Sequence, residues 1–197
     1  MTFELITAFA GFCLVSSITP GPNNLMLMAS GANFGFTKSI PHMLGIGIGF
    51  VLMVFLVGFG LAQIFNLYPI AHTILKVVSV VYLLYLAWKV ANASPVNASD
   101  PNGSPMTFLQ AAAFQWVNPK AWTMALTAVT VYAPNTEIMT IFLLSAIFGV
   151  VNLPSISLWT TLGQQMARIL TNPMRLRVFN WVMACLLVAS LYPVLWP

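Results

Sequence analysis

The sequence contains very few charged residues. Only 5% of its 197 residues are Asp, Glu, Lys or Arg, whereas 59% are hydrophobic. Soluble domains carry about 25% charged residues, so this composition excludes a soluble globular protein and predicts an integral membrane protein. Seven basic residues against three acidic ones are too few for the cationic surface that nucleic-acid binding requires. We therefore expect the lipid bilayer as the surroundings and no nucleic-acid partner.

Groupings of residues for metal binding, redox chemistry or covalent catalysis are also missing. The two cysteines, Cys13 and Cys185, lie in apolar segments and form no Cys-x-x-Cys pair, so we interpret them as small core hydrophobes. The three acidic residues lie at span ends or in a polar linker, and they form no cluster with histidine. No nucleophilic side chain has a general base adjacent to it that would indicate covalent catalysis. These absences predict a protein that is not an enzyme and has neither a cofactor nor a metal site.

Long apolar segments predict an all-α protein with six transmembrane helices. From residue 39 to residue 75 no side chain is formally charged, which is far longer than the ~20 residues that cross a bilayer. We place the spans approximately at 4–31, 39–62, 69–90, 107–132, 137–163 and 178–196. A small, polar and flexible linker at 92–106 separates the third span from the fourth.

The two halves of the chain repeat the same spacing. Pro22 and Pro119 are 97 residues apart, and the predicted spans two and five begin 98 residues apart, which is close to half the chain. With three helices each, the halves cross the membrane in opposite senses, the inverted-repeat plan of many secondary transporters. We therefore predict a single transmembrane domain over 1–197, with one repeat at about 1–91 and the other at about 107–197.

The basic residues are concentrated on one side of the predicted spans. Those that follow spans one, three and five are Lys38, Lys89, Arg168, Arg175 and Arg177. The opposite side has only Lys76, whose long side chain can extend to the membrane surface. The positive-inside rule then places the basic loops in the cytoplasm and both termini on the outer side.

Helix-breaking residues interrupt spans one and four. Residues 19–24 read TPGPNN, and FQWVNPKAW contains a second break at residues 118–119. Proline removes a backbone donor, and in hydrocarbon the freed carbonyls have no water to bind. After Lys120 only about 13 residues remain before Pro134, roughly 20 Å of helix at ~1.5 Å per residue. Because the membrane core is ~30 Å thick, the second break lies within the membrane.

Each break has the features of a new helix start. Pro22 and Pro119 suit the first helical position, and Asn118 is a favoured N-cap. A helix N-terminus offers unpaired N–H groups and partial positive charge to a carboxylate, and the end of the preceding helix offers free carbonyls to an ammonium group. The breaks in spans one and four therefore predict a binding site for a small zwitterion.

The residues assigned to this substrate site lie at or beside the helix breaks. They are Pro20, Gly21, Pro22, Asn23, Asn24, Trp116, Asn118, Pro119 and Lys120. Asn152 and Pro154 in span five are added, although a packing kink explains that pair equally well. Lys120 lies near the middle of a span, where a charge costs about 2.5–3.5 kcal/mol. We assign Lys120 a function, against the alternative that it extends to the cytoplasmic interface. His42 is expected to be an interfacial residue.

Four segments carry a family resemblance. They are ITPGPNNLMLMASGANFGFTKS, the glycine-rich span after it, YLLYLAWKV and FQWVNPKAW. In this order, over nearly the whole chain, they resemble the lysine-exporter (LysE/RhtB) family of amino-acid efflux proteins. YLAWK and TAVT look most like the branch that exports cysteine and O-acetylserine. The resemblance implies a multi-pass exporter of the bacterial inner membrane, driven by the proton gradient, with motif positions at residues 20–24 and 118–120.

One position departs from the pattern of that family. Some relatives carry an acidic residue on span five, whereas this chain has Asn152 and no carboxylate within the span. A proton-coupling step that uses a carboxylate is therefore not expected here.

We conclude from the sequence that the chain exports small neutral amino acids or their derivatives, by alternating access around the broken helices. Its expected partners are a zwitterionic amino acid, protons and the lipid bilayer, and the sequence leaves open a homo-oligomer. Two alternatives are kept. A membrane redox or enzymatic protein lacks the necessary thiol pair, and a non-transporting membrane scaffold has no use for the helix breaks.

The orientation is testable with a reporter protein that is active only outside the cytoplasm. Fused after Pro197, the reporter should be active, because the charge asymmetry places the C-terminus on the outer side. The same reporter inserted after Arg168, in a predicted cytoplasmic loop, is the control and should be inactive. A C-terminal fusion without activity outside the cytoplasm would contradict both the orientation and the six-span count.

Overall fold

A computed structural model shows a helical membrane protein. It describes residues 1–61, 63, 67–68, 70–93 and 104–195, and no β-strand occurs among them. The helices, numbered in chain order, are α1 (Phe3–Ile18), α2 (Pro22–Phe34), α3 (Phe36–Leu56), α4 (Ile70–Ala91), α5 (Phe108–Phe114), α6 (Pro119–Tyr132), α7 (Ile138–Ala167), α8 (Pro173–Ala189) and α9 (Tyr192–Leu195). A π-helical turn, Val57–Leu61, follows α3 and contains a kink at Gly60, where φ is +96°. A 3₁₀ turn, Gln115–Val117, follows α5.

Three helices are long and apolar enough to cross a membrane: α3 with its π-helical extension, α4 and α7. Together α1 and α2 also meet this requirement, as one span bent by 54° at the predicted break. The described residues thus contain three or four membrane-capable spans by length and composition, which makes the chain a multi-pass membrane protein. The six-span count and the inverted repeat stay predictions.

Several local predictions can be compared directly with the structure. Helix α8 begins at Pro173, five residues before the predicted start, because Asn172 caps it by accepting a hydrogen bond from the Met174 N–H at 2.8 Å. Both cysteines are free. Cys13 is buried as predicted, but Cys185 is exposed on α8, so its assignment to the core is wrong. Residues 94–103 of the predicted linker lie outside the described residues.

Close backbone contacts hold α2 against α7. A Cβ atom added at Gly31 would collide with the Thr160 carbonyl oxygen, and one added at Gly163 would collide with the Met28 carbonyl oxygen. Small residues at such crossings let two helices approach closely, which is how transmembrane helices gain packing energy where lipid is as apolar as the side chains. Helix α2 is therefore fixed along α7.

The glycines of α3 likewise allow a close contact between two helices, here between α3 and α5. A Cβ atom at Gly45 would collide with the Phe108 carbonyl oxygen, and one at Gly49 would lie 2.7 Å from the Ala112 Cα atom. The four-residue spacing of these glycines puts both on one face of α3, where it allows close helix packing. It brings α5, which precedes the second break, against α3.

An aromatic cluster anchors the N-terminal half of α1. The Phe9 ring lies 5.2 Å from the Tyr132 ring and 5.7 Å from the Phe148 ring, and Phe50 contacts Phe148 at 4.8 Å between ring centres. Edge-to-face aromatic pairs of this kind contribute about 0.5–1.5 kcal/mol beyond burial. The cluster joins α1 to α3, α6 and α7, and so positions the end of α1 beside the second break.

Replacing Gly31 with alanine should destabilise the protein, because the added methyl group would force α2 away from α7. We expect a loss of about 1–3 kcal/mol, the usual cost of overpacking, measured as a lower unfolding temperature in detergent. Gly11→Ala on α1 is the matched control, since nothing lies within 4 Å of its added Cβ atom. The control should be neutral or slightly stabilising. Equal stability of the two variants would contradict the close contact of α2 with α7.

Candidate functional site

Both helix breaks predicted from the sequence are present. Gly21 is the N-cap of α2, with extended backbone, and Pro22 takes the first helical position. Asn118 caps α6 by accepting a hydrogen bond from the Lys120 backbone N–H at 3.1 Å, and Pro119 takes the first position there. The predictions for both prolines and for the Asn118 cap are confirmed.

Lys120 extends from the first turn of α6 to the end of α1. Its ammonium group donates to the Thr19 carbonyl at 2.6 Å, to the Thr19 hydroxyl at 2.9 Å and to the Pro20 carbonyl at 3.5 Å. The absence of a side chain at Gly21 makes this path available, because a Cβ atom there would lie 2.7 Å from Lys120 Cδ. A positive charge beside the C-terminus of a helix is stabilising, since the carbonyl dipoles point towards it.

The other carbonyls at the end of α1 accept hydrogen bonds from α2 and α7. Asn24 donates to the carbonyls of Ser17 at 2.7 Å and Thr19 at 2.9 Å. Ser155 on α7 donates to the same Ser17 carbonyl at 2.8 Å, and the Trp159 indole donates to the next carbonyl along α1 at 3.2 Å. The expectation that these carbonyls are free is therefore wrong in this structure, because they accept hydrogen bonds from side chains of the protein.

A pair of amide side chains connects the two breaks. Asn23 donates to Gln115 Oε1 at 2.8 Å, and Gln115 donates back to Asn23 Oδ1 at 3.2 Å and to the Ala111 carbonyl at 2.8 Å. Gln115 is fully buried. Analysis of the sequence missed this residue, although an uncharged polar side chain in an apolar segment, three residues before Asn118, is a signal that could have identified it.

Between the breaks lies a small cavity of about 30 Å³, which we call the central cavity. The predicted site residues that line it are Gly21, Asn23, Asn24, Asn118, Lys120 and Asn152. Ser16 and Ser17 at the end of α1 add polar groups that the sequence analysis did not assign. The apolar lining comes from Ile46, Phe50, Ala121, Met124 and Ile156.

Two polar side chains that line the central cavity have unused hydrogen-bonding capacity. Ser17 Oγ is buried without a partner among the described residues. Asn152, only 6% exposed, lines the cavity from α7 and makes no side-chain hydrogen bond to another described residue. A buried polar group without a partner costs about 1–3 kcal/mol. A bound polar molecule that supplied the missing partners would remove that cost.

Five predicted site residues do not line the central cavity. They are Pro20, Pro22, Trp116, Pro119 and Pro154. The Trp116 carbonyl accepts a hydrogen bond from the Trp122 indole at 2.8 Å, and the two rings contact each other at 6.2 Å, so Trp116 belongs to the packing beside α6. Pro154 is exposed on α7, which continues through it as one helix. No new helix begins at Pro154.

Comparison with known proteins is consistent with this geometry. Residues 14–190 match the family model described as LysE type translocator. The chain is 28% identical to a cysteine/O-acetylserine efflux protein of Klebsiella pneumoniae subsp. pneumoniae, over 95% of each chain. It is 33% identical to the proteins of that name from Escherichia coli (strain K12) and Shigella flexneri serotype 5b, over 70% of each chain. No solved structure matches the chain.

The pairing of Asn23 with Gln115 is testable by a double-mutant cycle. Asn23→Ala and Gln115→Ala should each lower the unfolding temperature in detergent, and the double variant should lose less than the sum of the two. We expect a coupling free energy of about 0.6–1.7 kcal/mol, the range for hydrogen bonds between transmembrane helices. Asn23 with Asn180 is the control pair and should be additive to within about 0.5 kcal/mol, because Asn180 is on α8 and bonds Asn33, near the other end of α2. Additivity of Asn23 with Gln115 would show that this pair does not connect the breaks.

Proposed function

Because this chain belongs to the LysE type translocator family, we propose that it exports small neutral amino acids or their derivatives from the cytoplasm. The proteins it resembles are named for cysteine and O-acetylserine efflux, and we infer the same class of substrate here. As a translocator the protein is a transporter rather than an enzyme. The observation that carries the proposal is the central cavity, where two helix N-termini, one lysine and the end of a third helix meet.

Recognition of the substrate carboxylate is assigned to the start of α2 and the start of α6. Both N-termini adjoin the cavity through Gly21 and Asn118 and bring partial positive charge to it. Lys120 adds a full positive charge, and among the described residues no acidic side chain lines the cavity. The net electrostatic environment therefore favours an anionic group on the substrate.

Recognition of the substrate amine is assigned to the end of α1. The Thr19 carbonyl and hydroxyl bind the ammonium group of Lys120 at 2.6 and 2.9 Å, which demonstrates that an alkylammonium fits there. We infer that the substrate amine takes this place while Lys120 turns to the substrate carboxylate. The bonds from the substrate amine then replace the two short ones that Lys120 gives up at Thr19, so the exchange conserves strong hydrogen bonds.

The size of the cavity supports a mechanism with alternating access. Its volume of about 30 Å³ has room for only two or three water molecules, far below the ~300 Å³ or more of an ordinary ligand pocket. We infer that this arrangement is closed and that substrate enters only after the helices around the cavity move apart. Ile46, Phe50, Met124 and Ile156 form apolar walls that favour small uncharged side chains on the substrate.

The location and orientation in the cell are inferred from membership of this family and from the distribution of basic residues. We infer a location in the bacterial inner membrane, with two inverted repeats in one transmembrane domain and both termini on the outer side. The basic residues that support this orientation follow α2, end α4 and flank the turn between α7 and α8. Export then runs from the side of these basic residues to the side of the termini.

The function is testable by efflux from vesicles that contain the purified protein and are preloaded with labelled O-acetylserine or labelled cysteine. Wild-type vesicles should release at least one of the two compounds faster than protein-free vesicles. Lys120→Met should reduce this efflux about tenfold or more, because it removes hydrogen bonds to a charged group worth about 1.5–3 kcal/mol. Lys120→Arg keeps the charge and alters its geometry, so it should retain part of the activity.

The matched control for Lys120 is Lys76→Met on α4. The Lys76 ammonium group makes a single long hydrogen bond, 3.5 Å to the Leu195 carbonyl, away from the central cavity. This variant should transport at close to the wild-type rate per inserted protein. Wild-type rates for Lys120→Met would remove that lysine from the site, and no efflux of either compound by the wild type would contradict the proposed substrate class.

A further inference from the structure

Buried polar atoms without a hydrogen-bond partner occur at two of the residues that the structure describes, Ser17 and His42. His42 is 1% exposed on α3, so the expectation of an interfacial residue is wrong. It lines a separate cavity of about 70 Å³ between α2, the start of α3, the end of α4 and residues 104–106. Ser17 adjoins the central cavity instead. A buried polar group without a partner in a folded protein requires an explanation, and at Ser17 a ligand of the central cavity is one.

Asn152 brings an amide group with unused hydrogen-bonding capacity to the same cavity. Its side chain is 6% exposed, lines the cavity from α7 and bonds no other described residue. The neighbouring Ser16 differs, because its hydroxyl donates to the Phe12 carbonyl at 2.6 Å within α1. An amide offers two donors and one acceptor atom, and a hydroxyl offers one donor and one acceptor atom. Ser17 and Asn152 together can therefore bind a group that accepts hydrogen bonds or one that donates them.

The contacts between α1 and α7 show where Asn152 lies along the cavity. The Phe148 ring on α7 is 5.7 Å from the Phe9 ring on α1, and further along both helices Ser155 donates to the Ser17 carbonyl at 2.8 Å. The two helices therefore run in the same direction. Asn152 precedes Ser155 by about 4.5 Å of helix at ~1.5 Å per residue, so it lies on the Phe9 side of the Ser17 carbonyl.

The charged end of the central cavity lies on the other side of that carbonyl. Lys120 is the charged side chain that lines the cavity among the described residues, and its ammonium group is bonded beyond Ser17, at Thr19. On the side of Asn152, the lining includes Phe50, whose ring contacts Phe148 at 4.8 Å. We call this part of the central cavity the distal end; its residues are Ser17, Phe50 and Asn152. The distal end combines an apolar wall with two uncharged polar groups.

We propose that Asn152 and Ser17 bind the polar group of the substrate side chain, and that they thereby determine which neutral amino acids the protein selects. This inference rests on the proposed export function, in which the substrate carboxylate and amine bind at the charged end. The side chain then extends into the distal end. The Asn152 N–H groups and the Ser17 hydroxyl donate to the acyl oxygen of an ester side chain, and their oxygen atoms accept from a hydroxyl or a thiol. Aliphatic side chains of the same size are disfavoured.

The discrimination arises from the hydrogen bonds that an aliphatic side chain cannot make. Such a side chain would displace water from the Asn152 amide and the Ser17 hydroxyl and leave both without partners. A site that hydrogen-bonds a polar group of its substrate rejects an analogue without that group more strongly than an apolar pocket distinguishes two sizes. A charged side chain is also disfavoured at the distal end, because no opposite charge among the described residues lines the cavity there.

The experiment compares O-acetylserine with 2-amino-5-methylhexanoate, in which a methylene replaces the ester oxygen and a methyl group replaces the carbonyl oxygen. Vesicles that contain the purified protein are preloaded with one labelled compound, and the initial efflux rate is corrected for protein-free vesicles. Wild type should release O-acetylserine about tenfold faster than the analogue. Asn152→Leu should bring this ratio to about one, by slowing O-acetylserine and not the analogue, because it removes the amide at nearly constant size. Ser17→Ala should lower the ratio about threefold, as the loss of one neutral hydrogen bond does.

The matched control is Ser145→Ala on α7. Ser145 is buried like Ser17, but its hydroxyl donates to the Ile141 carbonyl of its own helix at 2.8 Å and does not line the central cavity. Its ratio should equal that of the wild type. Unfolding temperatures in detergent add a second readout: Ser17→Ala should be at least as stable as the wild type, because it removes a hydroxyl without a partner. A serine with a merely structural role would lower the stability when replaced.

The outcomes separate this proposal from the export function. Equal release of the two compounds by the wild type, or a wild-type ratio in both Asn152→Leu and Ser17→Ala, would overturn the proposal and leave the export function standing. Equal slowing of both compounds in these variants would overturn it as well, since the residues would then act on the cavity as a whole. Should leucine prevent insertion, the ratio of Ser17→Ala decides. If the wild type releases neither these compounds nor cysteine, the export function fails and the proposal fails with it.

Discussion

The carbonyl groups that the TPGPNN break leaves at the end of α1 need hydrogen-bond donors, because lipid supplies none to the backbone of a membrane span. Their donors come from three separate helices: Asn24 on α2, Lys120 on α6, and Ser155 and Trp159 on α7. The α1 terminus is therefore the point at which these helices are joined. The amide pair of Asn23 with Gln115 extends the same network to the second break.

Two of the side chains that satisfy this backbone requirement, Asn24 and Lys120, also line the central cavity. Asn24 and Lys120 are hydrogen-bonded to α1 and adjoin the cavity at the same time. Under the proposed function, a substrate ammonium group that bound the Thr19 oxygens would displace Lys120 from them, and binding would then change the hydrogen bonds at the break. Ser17 Oγ is buried there without a partner among the described residues, and Asn152 lines the same cavity, so under the proposed function a ligand could bind to both.

Helix α2 connects the central cavity to a second cavity beside His42, because its residues line both. Amide pairs hold it near both ends, Asn23 with Gln115 and Asn33 with Asn180, and close backbone contacts at Met28 and Gly31 hold it against α7. Displacement of α2 at the central cavity would therefore also alter the cavity beside His42, which α2 lines through Ser30 and Asn33.

The sequence by itself determined the membrane class, the two broken helices and their starts at Pro22 and Pro119, because composition, proline geometry and capping act within a few residues along the chain. The tertiary structure alone decided which side chains complete the breaks. Gln115 is 92 residues from Asn23, Lys120 is 101 residues from Thr19, and Trp159 is 141 residues from the carbonyl it binds. It also decided that His42 is buried and that Pro154 lies in an unbroken helix. These outcomes depend on which helix faces pack together, and no local pattern of residues specifies that.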